Sequence, residues 1–283
     1  MNIRQVRTKI KSVGNVKKIT RAMEMVSVIK MKKAQQKAVE TKPYEQSLSE
    51  IIQDISAKID PSFSALLKTP EENLKKELAI VISTNKGLCG SYNFNLYRHV
   101  SKNVDFKNND FIVVGKKGAF FINKMGGNII ADFSLSNPLN DVTAIFKLAL
   151  EGFLTDKYGR VRIFFNEYIS TLRNEPTDLT LLPVTYKPGE EEIKKIKEEF
   201  LIEPDPKVLV DQLLRSFVEE KIRNCIIQAE AGEHSSRMIA MKNATENAEH
   251  VIYNLTLLRN KIRQEKITYE LLDMMTAKES VEN

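Results

Sequence analysis

The stretch Thr84-Asn85-Lys86-Gly87-Leu88-Cys89-Gly90-Ser91 follows a β-rich run and opens a helical pattern. In a doubly wound α/β fold that is where a helix N-terminus would meet a phosphate group. The glycine spacing fits neither G-x-G-x-x-G nor G-x-x-x-x-G-K-[ST], so the stretch reads as a tight strand-to-helix turn. His99, His234 and His250 are scattered, with no E-x-x-H or H-x-x-x-H pairing to hold a metal. Cys89 and Cys225 fall in different elements without metal-ligand spacing and are expected as reduced thiols. The expectation is therefore a chain with no catalytic, cofactor-binding or metal-binding residue and no small-molecule ligand.

The charge distribution points to a partner instead. Residues 1–42 carry twelve Lys and Arg against only Glu24 and Glu40, a local net charge of +10 in a chain whose total is +6. Localised charge of this kind implies an acidic partner surface. Ile3, Val6, Ile10, Val13, Val16, Ile19, Met23 and Val26 recur at three and four, and no proline precedes Pro43. The spacing predicts one basic amphipathic helix from near residue 2 to about residue 57, roughly 80 Å long at about 1.5 Å per residue. A single-stripe helix of that length needs a partner helix.

The far end of the sequence supplies one. After Glu203-Pro204-Asp205-Pro206, Asp205 suits an N-cap and Pro206 the first helical position, where a missing N–H costs nothing. Leu209, Leu213 and Phe217, then Val251, Leu255, Leu258 and Ile262, give a helical repeat to about Ala277, with small residues Ala240, Ala244 and Ala248 midway. The two helices are expected to bury their stripes on each other as an antiparallel coiled coil. Gly232, followed by Ser235 and Ser236, is the expected weak point, a bend or a frayed contact.

Between the helices the period changes. Glu77–Thr84, Asp110–Gly115 and Arg160–Ile169 read as strands, with helices at about 87–103, 118–125 and 140–158 between them. Glu175–Val184 reads as an added edge strand, and the charged run Lys187–Glu199 as a solvated linker or helix. The organisation is an N-terminal coiled-coil helix at 1–58, a central α/β domain at 75–200 and a C-terminal coiled-coil helix at 206–280. The fold class is thus a long antiparallel coiled coil with an inserted small α/β, Rossmann-like domain and a mostly parallel sheet. No apolar run approaches a bilayer-spanning length.

Several segments together carry a family resemblance. Lys18-Ile19-Thr20-Arg21-Ala22-Met23-Glu24-Met25-Val26 and Lys30-Met31-Lys32-Lys33-Ala34-Gln35 closely resemble the first helix of the gamma subunit of bacterial F-type ATP synthases. Gly87-Leu88-Cys89-Gly90 resembles that family's central turn, Glu203-Pro204-Asp205-Pro206 its re-entry into the coiled coil, and Arg237-Met238 with Ala240-Met241 its last helix. Arg263-Gln264 and Ile267-Thr268-Tyr269-Glu270 resemble its closing signature, although Thr276-Ala277 and Glu279 depart from the usual ending. Gly232 stands where the family often has serine.

The resemblance implies a rotor shaft without catalysis of its own, turning inside a ring of alpha and beta subunits. Further implied partners are an epsilon subunit and a membrane c-ring, in a peripheral complex on the cytoplasmic face of the bacterial plasma membrane. It implies catalytic-subunit contacts at Lys17, Lys18, Arg21, Met23, Arg263, Gln264, Thr268 and Glu270, and a membrane-ring or epsilon contact at Ile202 and Glu203. On periodicity alone, Met23 reads as packing and Arg263 as a solvated charge. Two other classes were weighed. A basic coiled-coil nucleic-acid-binding protein would place stacking aromatics near its arm, and residues 1–43 contain none. A nucleotide-binding α/β enzyme would rest on the Gly87–Gly90 turn, which lacks the phosphate fingerprint.

Overall fold

The computed structural model describes residues 2–56, 64–67, 76–135, 137–184 and 206–282. The chain forms two compact units, Met1–Val28 with Arg237–Asn283, and Ile29–Ser236. Two helices contribute to both units: α1 (Ile3–Ser56) and α5 (Pro206–Glu282). Helix α1 runs through Pro43, which costs it one backbone hydrogen bond. Helix α5 opens at Pro206 as the sequence predicts. Asp205, the run Lys187–Glu199, and both Ile202 and Glu203 lie outside the described residues.

The sheet belongs to the unit Ile29–Ser236. Its elements are β1 (Glu77–Ile82), α2 (Tyr92–Asn103), β2 (Asp110–Val114), α3 (Lys116–Lys124), β3 (Asn128–Asp132), α4 (Val142–Leu154), β4 (Arg160–Ser170) and β5 (Arg173–Leu182). Strand order is β3-β2-β1-β4-β5, parallel except for the β4–β5 hairpin. The edge strand expected at Glu175–Val184 is β5. Strand β3 is an addition to the sequence reading. Five residues at a sheet edge, only alternately half-buried, give too short a period-two signal to stand out.

Alternation along the strands makes two cores. On one face Ala79, Val81, Phe111, Val113 and Phe164 pack under Leu96 and Val100 of α2 and Ile122 of α3. On the other face Leu78, Ile80, Ile112, Ile163 and Phe165 pack with Ile145 and Phe146 of α4. That second core also takes Leu48 and Ile52 of α1 and Val210, Leu214, Val218, Ile222 and Ile226 of α5. The long helices are therefore part of the sheet's own core within this unit. The expected inward residues Leu213 and Phe217 are only half-buried at its margin, because the α5 ladder is centred one residue further on, at Val210, Leu214 and Val218.

One buried carboxylate ties strand starts together. Asp110, 2% exposed at the head of β2, accepts hydrogen bonds from Asn128 Nδ2 at 2.8 Å and Tyr158 Oη at 2.7 Å, and lies 2.9 Å from Lys76 Nζ and 3.3 Å from Lys157 Nζ. Burial works to raise its pKa, but the hydrogen bonds and the Lys76 charge outweigh it and hold the carboxyl well below the usual carboxylate range. A depressed folded pKa gives stability that is fully present above the unfolded value and lost as the pH falls through the folded one. Asp110→Asn should cost about 1.5–3 kcal/mol at pH 7, the range for a hydrogen bond to a charged group. In urea unfolding the gap to wild type should hold down to about pH 4 and narrow below it. A gap that ignores pH would assign the effect to packing rather than to the ionised carboxylate.

Candidate partner-contact surface

The chemistry-bearing residues among those described lie in separate elements. In this strand order the sequence reverses direction between β1 and β4, which is where doubly wound folds open a ligand crevice. Here Tyr92, first residue of α2, donates its hydroxyl to Ala229 O of α5 at 2.7 Å, and Asn166 Nδ2 of β4 donates to Tyr92 O at 3.1 Å. The chain's own helix fills the crevice. The preceding turn holds Leu88 at φ 64° and Gly90 at φ 60°, with Thr84 Oγ1 donating to Lys86 O and Asn93 Nδ2 donating to Thr84 Oγ1. It is the tight strand-to-helix turn that the sequence predicts.

His99 and Cys225 sit within the packed sheet unit. His99 Nε2 sits 2.8 Å from Asp178 Oδ1, and Arg162 links that same carboxylate to Glu77. Burial pushes the Cys225 thiol up to about 12, so it stays protonated near neutral pH. Neither cysteine is in a disulfide. Among the described residues no group of three or more His, Cys, Asp or Glu could hold a metal ion. No described helix is long and apolar enough to cross a membrane.

The unit Met1–Val28 with Arg237–Asn283 is a pair of antiparallel helical segments. Thr20 and Thr245 share a hydroxyl hydrogen bond at 2.8 Å, and Lys17 Nζ meets Glu249 Oε1 at 2.9 Å. The α1 seam comprises Ile3, Val6, Ile10, Val13, Lys17, Thr20, Glu24 and Ser27, alternating steps of three and four. The α5 seam is Met241, Thr245, Ala248, Ile252, Leu255, Arg259 and Ile262 with the same alternation. This is heptad packing.

Two sequence expectations are corrected by it. Val16, Ile19 and Val26 are 51%, 59% and 53% exposed, and Met23 is half-buried, because the seam steps onto Lys17, Thr20, Glu24 and Ser27 beside them. On α5, Val251 and Leu258 point outward, Leu258 at 37% exposure, while Ile252 and Leu255 face in. The apolar ladder of α1 thus continues as a surface stripe of Val16, Ile19 and Val26, which the periodicity of the sequence places in the interior. Its signal was present, since two neighbouring ladders run in parallel and only the partner helix decides which one is covered. A third correction concerns the frayed contact expected at Gly232. Helix α5 is continuous through it, and an added Cβ would lie 2.8 Å from Asn174 Oδ1 and 3.2 Å from Tyr92 Cε2, so the glycine marks a close approach.

Basic residues lie beside this stripe, and the closing-signature residues lie further along α5 in the same unit. Lys18 and Arg21 are exposed, Arg21 lying 3.6 Å from Glu24, and Lys17 is occupied by Glu249. Beyond Ile262 every residue with a described side chain on α5 is exposed. Arg263, Gln264, Thr268 and Glu270 are among them, with Thr268 Oγ1 bonded to Gln264 O and Glu270 paired with Lys266 at 3.3 Å. Ile267, Tyr269, Leu271, Leu272, Met274 and Met275 are exposed on the same segment.

One unit is a pair of antiparallel helical segments with apolar residues left exposed, and the other is a mostly parallel sheet whose core is completed by the same two helices. The comparisons give the family. Residues 2–281 match the family model described as ATP synthase. The chain is 36% identical over 292 residues to the ATP synthase gamma chain of Akkermansia muciniphila and 35% identical over 288 residues to that of Coxiella burnetii, covering 99% of both chains in each case. Its fold matches a rotor chain of the Euglena gracilis mitochondrial ATP synthase with TM-score 0.67 and 21% identity, over 94% of this chain and 98% of that one. A chain of the Tetrahymena thermophila mitochondrial central stalk and c-ring matches with TM-score 0.61 and 20% identity, over 80% of this chain and 99% of that one. The chain belongs to the ATP synthase gamma-chain family, and neither the nucleic-acid reading nor the nucleotide-enzyme reading is favoured.

The corrected seam is testable by unfolding. Leu255→Asp puts a charge on the half-buried seam and should cost about 0.5–3 kcal/mol, whereas Leu258→Asp should stay within about 0.5 kcal/mol of wild type. Thermal midpoints of the two variants measure the difference, and equal losses would place the seam elsewhere.

Proposed function

We propose that this chain is the non-catalytic central rotor shaft of an F-type ATP synthase, coupling ion-driven rotation of a membrane ring to ATP synthesis or hydrolysis in a surrounding catalytic ring. The observation that carries the proposal is the exposed apolar surface of the Met1–Val28 and Arg237–Asn283 unit, above all Ile267 to Met275 on a stretch of α5 whose described side chains are all exposed. A contiguous exposed apolar patch marks a surface that meets a partner. The names of the relatives and of the matched rotor and central-stalk structures support the same reading. Its partners are then the alpha and beta subunits, the epsilon subunit and the c-ring, and its place is peripheral, on the cytoplasmic face of the bacterial plasma membrane.

The mechanism is differential contact. A shaft whose faces differ in charge and apolarity favours the closed form of one catalytic subunit and the open form of another, so rotation shifts each population in turn. Moving a two-state site from 1:99 to 99:1 takes about 5.5 kcal/mol of differential interaction. Lys17, Lys18, Arg21 and Met23 on α1, with Arg263, Gln264, Thr268 and Glu270 on α5, are the contacts proposed to deliver it. Ile202 and Glu203 are proposed to meet the membrane ring or epsilon. Cationic contacts to acidic loops attract without locking, because solvent screens them.

The purified chain alone should show no ATPase activity, while the reconstituted ring containing it hydrolyses ATP; saturable turnover by the chain alone would refute the non-catalytic assignment. Met23→Lys should add an ion pair in one rotational state, and about 1.4 kcal/mol of added attraction slows escape from that state tenfold. Ions pumped per ATP hydrolysed should fall at low salt and recover in part at high salt. An unchanged ratio at low salt would make Met23 a packing residue.

A further inference from the structure

We propose that the tip of the β4–β5 hairpin is a torsional latch in which Asn174, with Tyr168 and Thr171, fixes the angle at which the sheet grips both long helices. The inference rests on the rotor reading and lies wholly within the unit Ile29–Ser236. The apolar core under the sheet holds α5 through aliphatic side chains, and contacts of that kind are non-directional. The hairpin tip adds contacts that are directional. Gln35 Nε2 of α1 donates to Tyr168 Oη at 2.6 Å, and that oxygen lies 3.2 Å from Thr171 Oγ1. On the other side Ser235 Oγ of α5 donates to Thr171 O at 3.0 Å, while Asn174 Nδ2 donates to Ser236 Oγ at 3.0 Å and to Ser235 Oγ at 3.4 Å. One hairpin tip therefore holds both helices. Hydrogen bonds weaken steeply when bent, so they resist small rotations that an aliphatic interface tolerates.

Two features show that the grip is built in. Ser235 is fully buried, so its hydroxyl has no water to fall back on. Gly232 lets the α5 backbone come so close that any larger residue would press a Cβ to 2.8 Å from Asn174 Oδ1, an oxygen buried without a hydrogen-bond partner of its own. A buried acceptor left unpaired is costly, and it is retained here where the same side chain makes its two bonds to serines. Asn174 is thus a positioning residue, acting on rotation through the helix it holds.

The test uses the assembled catalytic ring, fixed to a surface, with a bead attached through Lys107→Cys on the sheet unit. Lys107 is exposed and both native cysteines are buried, so labelling is selective. The angular variance of the bead during a paused state is inversely proportional to torsional stiffness. Asn174→Ala and Gln35→Ala, each removing directional bonds, should raise that variance about twofold with hydrolysis rate unchanged. Gly232→Ala should do the same by displacing Asn174. Asn174→Asp, whose carboxylate can accept from the Ser236 hydroxyl while the Ser235 hydroxyl stays on Thr171 O, should bring the variance back below the Asn174→Ala value. Wild-type variance in Asn174→Ala, or an equal rise in Asn174→Asp, overturns the latch. A wild-type ring that shows no rotation overturns the rotor reading instead.

Discussion

The structure depends on a register. In the Met1–Val28 and Arg237–Asn283 unit both helices keep strict steps of three and four along their seam, and they keep them even where the seam turns polar. Between Val13 and Ser27 that register covers Lys17, Thr20, Glu24 and Ser27 and leaves Val16, Ile19 and Val26 in water. A coiled coil optimised to stand alone would do the reverse, because a buried valine or isoleucine is worth about 1.5–3 kcal/mol over an exposed one. What holds the polar register is the paired hydroxyls of Thr20 and Thr245 and the ion pair of Lys17 with Glu249, which hydrophobic residues could not replace without losing alignment. Small residues such as Ala248 opposite them let the backbones close up. The seam gives up stability so that apolar surface can face outward.

The same economy shapes the sheet unit. Its strand order is that of folds that bind nucleotides at the point where direction reverses, yet there Tyr92 donates its hydroxyl to Ala229 O of α5 while Asn166 of β4 donates to Tyr92 O. A ligand site has been exchanged for a helix-docking site. Because Val210 to Ile226 of α5 and Leu48 and Ile52 of α1 complete the core beneath the sheet, the sheet cannot lose the helices without exposing its own interior. Within this unit the two helices and the sheet share one core, so separating them would expose apolar surface on both sides.

Much of this was legible in the sequence, and the exceptions are instructive. The spans of α1 and α5 followed from long proline-poor repeats, and β1, β2, β4 and β5 from apolar runs bounded by turn signals. Strand β3 escaped because five edge residues carry too little alternation. The seam was misplaced by one residue at Val16, Ile19 and Val26 because two ladders lie side by side on α1, and helical periodicity weighs apolarity without knowing which ladder meets the partner. Gly232 was legible as unusual but not as a close approach, since the side chain it makes room for, Asn174, sits far away in sequence. The proposed contact residues Arg263, Gln264, Thr268 and Glu270 carry no physical signature beyond exposure, and only the family resemblance points to them.

Exposure on one helix and pairing on two answer different mechanical needs. A single helix is soft in bending, and a paired one resists it, so a shaft must be paired where load is transferred sideways. Past Ile262 every described side chain of α5 is exposed, with Ile267, Leu271, Leu272, Met274 and Met275 on one side of the helix and Arg263, Lys266, Glu270 and Asp273 on the other. The basic stretch with Lys18 and Arg21 is divided in the same way, its charge beside the outward ladder of Val16, Ile19 and Val26. Faces divided between charge and apolarity make each rotational angle energetically distinct, which a segment of one character all round could not do.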